Sequence, residues 1–522
     1  MNRFLPLTVL AALAFHSALV AAPIERGPAV REIKGSMSLD DAVKVALRQN
    51  PALLKALQQI EVTRGQIIEV RAEALPHIAV TSNYNQQDPT LMESGNRFRG
   101  SNSSSQTPTF NASQFSSIPG VTQNAAQQIA SSLQAGFATT PQSQNFGSIN
   151  DKSWQVTVQA TQRLYSGGQV LAAIRIAKFT DDSSYFSLLD TLDQTIATTR
   201  QQFYNVLLTR ALIKVQEESV RLLQDQLKDQ QNRFEAGTVP RFNVLQAEVQ
   251  LANQQPQLIT ARNNYLIAQY QLAKTLNLDP GPQGAPTFNA VGELQVHERS
   301  LSLKGAIEAA VERRPFLKVQ RLNILVAKEQ IKVALAGYKP QINASAGYEV
   351  RNSSLSDKLD DTVEGWFFGF NGTWNIFDGL ETYGKVKSTR AQLEQAKTTY
   401  EDSLHQVELE VQQAFANLQT ARETIRSQAK VVEQALEAVR LASERLAAGA
   451  GTQLDVLNAQ VQLTTARSTE IQARASYNSA LAEFDRVTAT DTVYAQTFDD
   501  PLVRGRVPKA VPVAKPARTK GR

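Results

Sequence analysis

The chain writes one stretch twice. Residues 233–251 read RFEAGTVPRFNVLQAEVQL and residues 445–463 read RLAAGAGTQLDVLNAQVQL, identical at 9 of 19 positions without a gap. Further upstream, SLDDAVKVALRQNPALLKA from Ser38 is echoed by SLKGAIEAAVERRPFLKV from Ser302. The first offset, 212, carries Trp154 onto Trp366, Gly167 onto Gly379, Phe203 onto Phe415 and Gly237 onto Gly449. The second, 264, carries Pro51 onto Pro315, Pro76 onto Pro340 and Tyr84 onto Tyr348, so a 52-residue insertion separates Tyr84 from Trp154 in the first copy. A duplication on this scale restricts the fold to two similar halves, each built from the same ordered elements.

Repeat one is expected over 37–284 and repeat two over 301–490. Each begins with short helices that end at a proline, Pro76 or Pro340. A strand, a loop and a second strand follow, then a very long helix, a glycine turn and another long helix. The strands are expected at 77–84, 154–165, 341–350 and 366–377, with period-two alternation as the signal. Over 154–165 one face reads Trp154, Val156, Val158, Ala160 and Leu164, interrupted by Gln162, and the other is polar. Over 366–377 one face reads Trp366, Phe368, Phe370, Trp374 and Ile376, against Asn371, Thr373 and Asn375. Strands of roughly 9–11 residues with one apolar face, and with Trp154, Trp366 and Trp374 near their ends at a membrane interface, suit an outer-membrane barrel. A soluble sandwich is the other reading of such strands.

Helices are expected at 168–234, 240–278, 380–447 and 453–488. No proline or glycine falls between Gly168 and Phe234, so at 1.5 Å per residue the first of these reaches ~100 Å. Leu192, Thr199, Val206, Ile213, Val220, Leu227 and Phe234 recur every seven residues, and Leu404, Val411, Leu418, Ile425, Val432, Val439 and Leu446 form the same row in the second copy. A sustained seven-residue repeat produces a left-handed supercoil. Pro256 breaks the pattern in the returning helix of repeat one, where a bend is expected.

Composition narrows the setting. Residues 1–22 read as a secretory signal, with Arg3 ahead of an apolar run that ends in small residues; a membrane anchor is the alternative. No later segment approaches the ~18 apolar residues of a membrane helix, so any crossing must use strands. The chain has no cysteine, which removes disulfides and thiolate chemistry. Residues 101–150 carry no charge and are expected to form most of a long extracellular loop over 85–153. Net charge is +5, with seven basic and no acidic residues from Val503 onward, so 491–522 is expected to be a disordered basic tail.

Chemistry is hard to find. GLETYGKV at 379–386 imitates a phosphate-binding loop, but Val386 stands where a magnesium-binding hydroxyl is needed. The histidines, His16, His77, His297 and His405, have no ligand spacing. No nucleophile–base arrangement is apparent. The chain is expected to be no enzyme, to use no cofactor or metal and to bind no nucleic acid. Four strands cannot close a barrel, for which about eight is the lower limit, so several copies must contribute.

The chain resembles the TolC family of outer-membrane efflux channels over roughly residues 37–490. The residues that carry the resemblance are Leu39, Ala42, Asn50 and Pro51 with their echo Leu303, Ala306 and Pro315, the proline before each first strand, YSGG at 165, FDGL at 377 and the two glycine turns. The resemblance implies a mainly α fold with a small transmembrane β part: a homotrimer whose twelve-stranded barrel, four strands per chain, continues as a long periplasmic coiled-coil tunnel. It implies outer-membrane lipid around the barrel, and docking of Gly237, Thr238, Val239, Gly449, Ala450 and Gly451 onto a periplasmic adaptor. The adaptor would recruit an inner-membrane pump or ABC exporter. It further implies that Asp455, Asn458 and Asn243 line the periplasmic gate, and that the arginine of some members' gate lock is replaced by Gly451. From its own residues, Asp455 reads as the far end of a Thr452 capping box. The expected function is a passive exit duct for small molecules, metal ions or proteins. A structural or adhesive coiled-coil envelope protein is the alternative.

Overall fold

A computed structural model describes residues 35–86, 152–279, 286, 288–296, 298–299, 301–352 and 359–490, with scattered positions between 111 and 133. The signal at 1–22, most of the insertion at 101–150, His297 and the tail at 491–522 lie outside the described residues. The chain divides into two compact units, one drawn from residues 1–67, 174–331 and 387–522, the other from 68–173 and 332–386.

The helical unit starts with β1 (Gly35–Met37) and α1 (Leu39–Gln49), and α2 (Pro51–Ala72) begins there. Ser38 caps α1: its hydroxyl accepts from the Asp41 N–H at 3.3 Å and donates to the Asp41 carboxylate at 2.6 Å. Pro51 then stops α1, because a residue before proline is pushed out of the helical region, and itself suits the first position of α2. Two very long helices follow, α3 (Gln169–Glu235) and α4 (Arg241–Thr275). The linker pairs β4 (Phe288–Ala290) in parallel with β1, and α5 (Leu303–Arg313) and α6 (Pro315–Leu335) repeat the opening. Last come α7 (Glu381–Ala447) and α8 (Gln453–Val487). The duplication is kept to the residue, since α3 and α7 both have 67 residues and α4 and α8 both have 35. Pro256 sits inside α4 without ending it.

Each repeat builds its own core on its long helices. Phe203, Val206, Leu272, Leu276 and Phe288 close around Ala42 and Ala46 of α1. Val407, Val411, Tyr477, Phe484 and Val487 close around Ala306 and Ala310 of α5. Small residues at these helix contacts let the axes approach, and the large apolar side chains contribute about 1.5–3 kcal/mol each on burial.

The other unit is a four-stranded antiparallel sheet in the order β2 (His77–Gln86), β3 (Lys152–Tyr165), β5 (Gln341–Asn352), β6 (Thr362–Thr373). Its register sets one apolar face: Val80, Val158, Tyr348 and Trp366 stand in one row, and Ile78, Ala160, Ala346 and Phe368 in the next. These side chains are largely uncovered, Trp366 at 81 % exposure. The opposite face is polar, with Thr157, Gln159, Ser345 and Asn371 in its rows.

The last strand corrects the expected range of 366–377. The ladder runs from Asn352 opposite Thr362 to Gln341 opposite Thr373 and stops there. The next partner would be Pro340, which has no N–H to donate. Trp374, Ile376 and Phe377 continue the apolar pattern but lie past the strand.

Gly347 sits opposite Phe367 within the sheet. A Cβ there would lie 2.5 Å from the Val158 carbonyl oxygen and 2.7 Å from the Phe367 ring. Gly347→Ala is therefore expected to destabilise the sheet by about 1–3 kcal/mol, read as a lower melting temperature.

Candidate functional site

The two glycine turns are helix ends of one kind. At the end of α3, Gly237 has φ of +74°. Its N–H donates to the Phe234 carbonyl at 2.9 Å and the next N–H, of Thr238, reaches back to Arg233 at 2.9 Å. Gly449 has φ of +73°, with its N–H on the Leu446 carbonyl at 3.1 Å and that of Ala450 on Arg445 at 2.8 Å. This paired closure satisfies the last carbonyls of each helix and needs a left-handed residue, for which glycine has no steric penalty. Gly451 is tight for a different reason: a Cβ there would meet Arg445 Cβ at 3.1 Å. A larger residue at 451 would have to push away the last turn of α7.

The second tip carries a full capping box. The Thr452 N–H and hydroxyl both donate to the Asp455 carboxylate at 2.8 Å, and Asp455 N–H donates to the Thr452 hydroxyl at 3.2 Å. The bonds from the Thr452 backbone and side chain hold the Asp455 carboxyl below the usual carboxylate range. Asp455 and Asn458 are exposed, and Asn243, in the first turn of α4, is partly so. Near this tip the side-chain amides of Gln230 and Gln453 meet at 3.4 Å and join α3 to α8.

The three tryptophans differ. Trp366 projects from the apolar face of β6. Trp154 donates its indole N–H to the Leu359 carbonyl at 2.9 Å, and Trp374 donates to the Tyr338 carbonyl at 3.1 Å.

A cluster that the sequence reading missed lies between the middle of α7 and the C-terminal end of α8. Asp485 faces Arg299 at 3.0 Å and Arg200 of α3 at 3.6 Å. Arg314, at the junction of α5 and α6, meets Glu410 at 2.5 Å, and Arg486 faces the same carboxylate at 3.8 Å. Burial alone would raise the Glu410 carboxyl, but Arg314, Gln406 and Arg486 together hold it below its ordinary value. Burial pushes the neighbouring Asp190 carboxyl up. The available signal was the difference between the two copies, because the corresponding positions in repeat one are Asn50, Thr198 and Ala273.

Among the described residues no helix is long and apolar enough to cross a membrane, and no group of histidine, cysteine and carboxylate side chains could hold a metal ion. The model of the family described as outer membrane efflux protein matches residues 119–278 and 306–490. The chain belongs to this family. It is an outer-membrane efflux or secretion channel protein of the TolC type, mainly α-helical with a small β part. Outer membrane protein OprJ of Pseudomonas aeruginosa is 23 % identical over 448 residues, covering 84 % of this chain and 82 % of that protein. Protein CyaE of Bordetella pertussis is 28 % identical over 191 residues, a match that covers 37 % of this chain and only 40 % of CyaE. The solved CmeC outer membrane channel of Campylobacter jejuni has the same fold, with a TM-score of 0.67 at 15 % identity over 89 % of this chain and 90 % of that one.

Proposed function

We propose that three copies of this chain close one twelve-stranded barrel in the outer membrane and continue it as a helical duct through the periplasm. The observation that carries this reading is the sheet. Its edge strands, β2 and β6, have no partner on their outer sides among the described residues, and its apolar face is uncovered. In lipid, unpaired backbone groups are too costly to leave, so an open sheet must be closed. β2 and β6 run in opposite directions, so β6 of one copy can accept β2 of the next and keep every junction antiparallel. Three sets of four strands reach a size that can enclose a lumen, which four strands cannot. Trp154, Trp366 and Trp374 then face the membrane interfaces.

The paired tips suit a second role. Gly237, Thr238 and Val239 with Gly449, Ala450 and Gly451 form the docking surface for a periplasmic adaptor, which couples the duct to an inner-membrane pump or ABC exporter. The duct itself is passive and performs no catalysis; the partners supply the energy to move small molecules, metal ions or proteins. Asp455, with Asn458 and Asn243, lines the gate.

In a trimer three Asp455 carboxylates present one ring of charge, which favours cations at the mouth. Asp455→Ala is expected to lower cation preference in planar-bilayer recordings. In the native channel the preference should persist as pH falls into the ordinary carboxylate range, because the Thr452 bonds keep Asp455 ionised to lower pH. The sign of the stability effect follows: a depressed carboxyl adds tip stability above its unfolded pKa and loses it as pH drops through the folded value. An unchanged reversal potential in Asp455→Ala would mean that the residue only caps α8. Failure of the purified protein to conduct would overturn the channel reading itself.

A further inference from the structure

Repeat two departs from repeat one in a way the shared fold does not require. In repeat one the short helix α1 is held to α3 and α4 by apolar contacts, and Asn50 at its end donates to the Thr275 carbonyl at 2.7 Å. In repeat two the matching positions place Arg314, Glu410 and Asp485 where repeat one has Asn50, Thr198 and Ala273. The apolar core beneath is retained, so the Arg314–Glu410 pair only adds to a junction of α5 with its hairpin that apolar packing already makes. Asp485 reaches outside the repeat. Asp485 of α8 lies 3.6 Å from Arg200, which belongs to α3 of repeat one, and 3.0 Å from Arg299 of the linker. The side chains of Asp485 and Arg314 are 9 % and 7 % exposed.

Charges this deeply placed are a weak source of net stability, since desolvation offsets much of their attraction, but loss of one partner strands the other. Such pairs serve better to select one arrangement of packed helices than to hold a fold together. Their position supports that role. Along α8, Asp485 stands 32 residues beyond Gln453, a lever of about 48 Å, so a turn of about 5° at Asp485 moves the tip by about 4 Å.

We propose that this ionic junction is the fulcrum of the α7–α8 hairpin: Asp485, gripped by Arg200 and Arg299, sets the angle of the hairpin against α3 and so the aperture at the tips. Arg314, Glu410 and Arg486 brace the same joint. The proposal rests on the reading of the tips as the gate.

The test uses assembled channels in planar bilayers. Arg200→Gln and Asp485→Asn are each expected to raise the resting conductance about fivefold. The double variant should rise no further than Asp485→Asn alone, because that change already removes the carboxylate that Arg200 faces, and Arg200→Lys should stay near wild type. Should Asp485→Asn fail to assemble, Arg200→Gln leaves Asp485 its Arg299 partner and supplies the measurement. Wild-type conductance in the single variants, additive effects in the double, or an Arg200→Lys channel as leaky as Arg200→Gln would each overturn the fulcrum. Asp455→Ala recorded alongside separates the two readings: a shifted reversal potential there, with unchanged conductance in the junction variants, overturns the fulcrum and leaves the gate standing.

Discussion

A Phe368→Arg chain is expected to fold its helices and fail to enter the outer membrane as a stable assembly. Phe368 lies mid-strand on the apolar face of β6, edge-on to Phe370 at 4.8 Å between ring centroids, and it is mostly uncovered. In the proposed barrel that face meets acyl chains. A cation placed near the bilayer midplane on the lipid side of a barrel costs about 2–4 kcal/mol, and a trimer suffers that cost three times. The opposite face provides the control. Asn371, one residue beyond Phe370, belongs to the polar face, and Asn371→Arg should be tolerated in assembly. Outer-membrane fractionation separates the outcomes: loss of membrane-bound protein for Phe368→Arg with retention for Asn371→Arg supports the assignment of faces, and equal loss or equal retention contradicts it.

The second large effect concerns the helical cores. Phe203 is 1 % exposed within the first core, and its twin Phe415 is only partly buried beside the second, tilted against Phe484 at 6.4 Å. Truncating a buried phenylalanine removes its transfer free energy and leaves a cavity, typically about 3–5 kcal/mol. Phe203→Ala should therefore lower stability by about that much, whereas Phe415→Ala should cost clearly less because its neighbourhood is already partly open. Thermal unfolding followed by helical dichroism reads both. Equal losses would mean that the two cores are equally closed in the assembled protein, with Phe415 covered by a neighbouring copy.

Much of this architecture could be read from the chain because glycine and proline punctuate it. Long helices need an uninterrupted run, and the residues that end them, Gly237 with Pro240 and Gly449 with Gly451, are visible in the sequence. The Thr452–Asp455 cap was legible for the same local reason, since both partners lie within one helical turn. The end of β6 was not legible. The apolar alternation runs on through Trp374 and Ile376, but pairing stops because Pro340, immediately before β5, cannot donate. That limit lies in the partner's backbone, and no pattern within 366–377 reports it. The ionic junction was hidden by distance along the chain: Arg200 and Asp485 come from different repeats and meet only once α3 and α8 pack. A comparison of the two copies does show the unmatched charges, but it cannot say what they touch.

The central claim is that one chain supplies a third of a closed wall. The direct measurement is the mass of the protein extracted from outer membranes in mild detergent, by native mass spectrometry. Three identical copies are predicted, with no free monomer; a monomer that still conducts as a single chain would contradict the account.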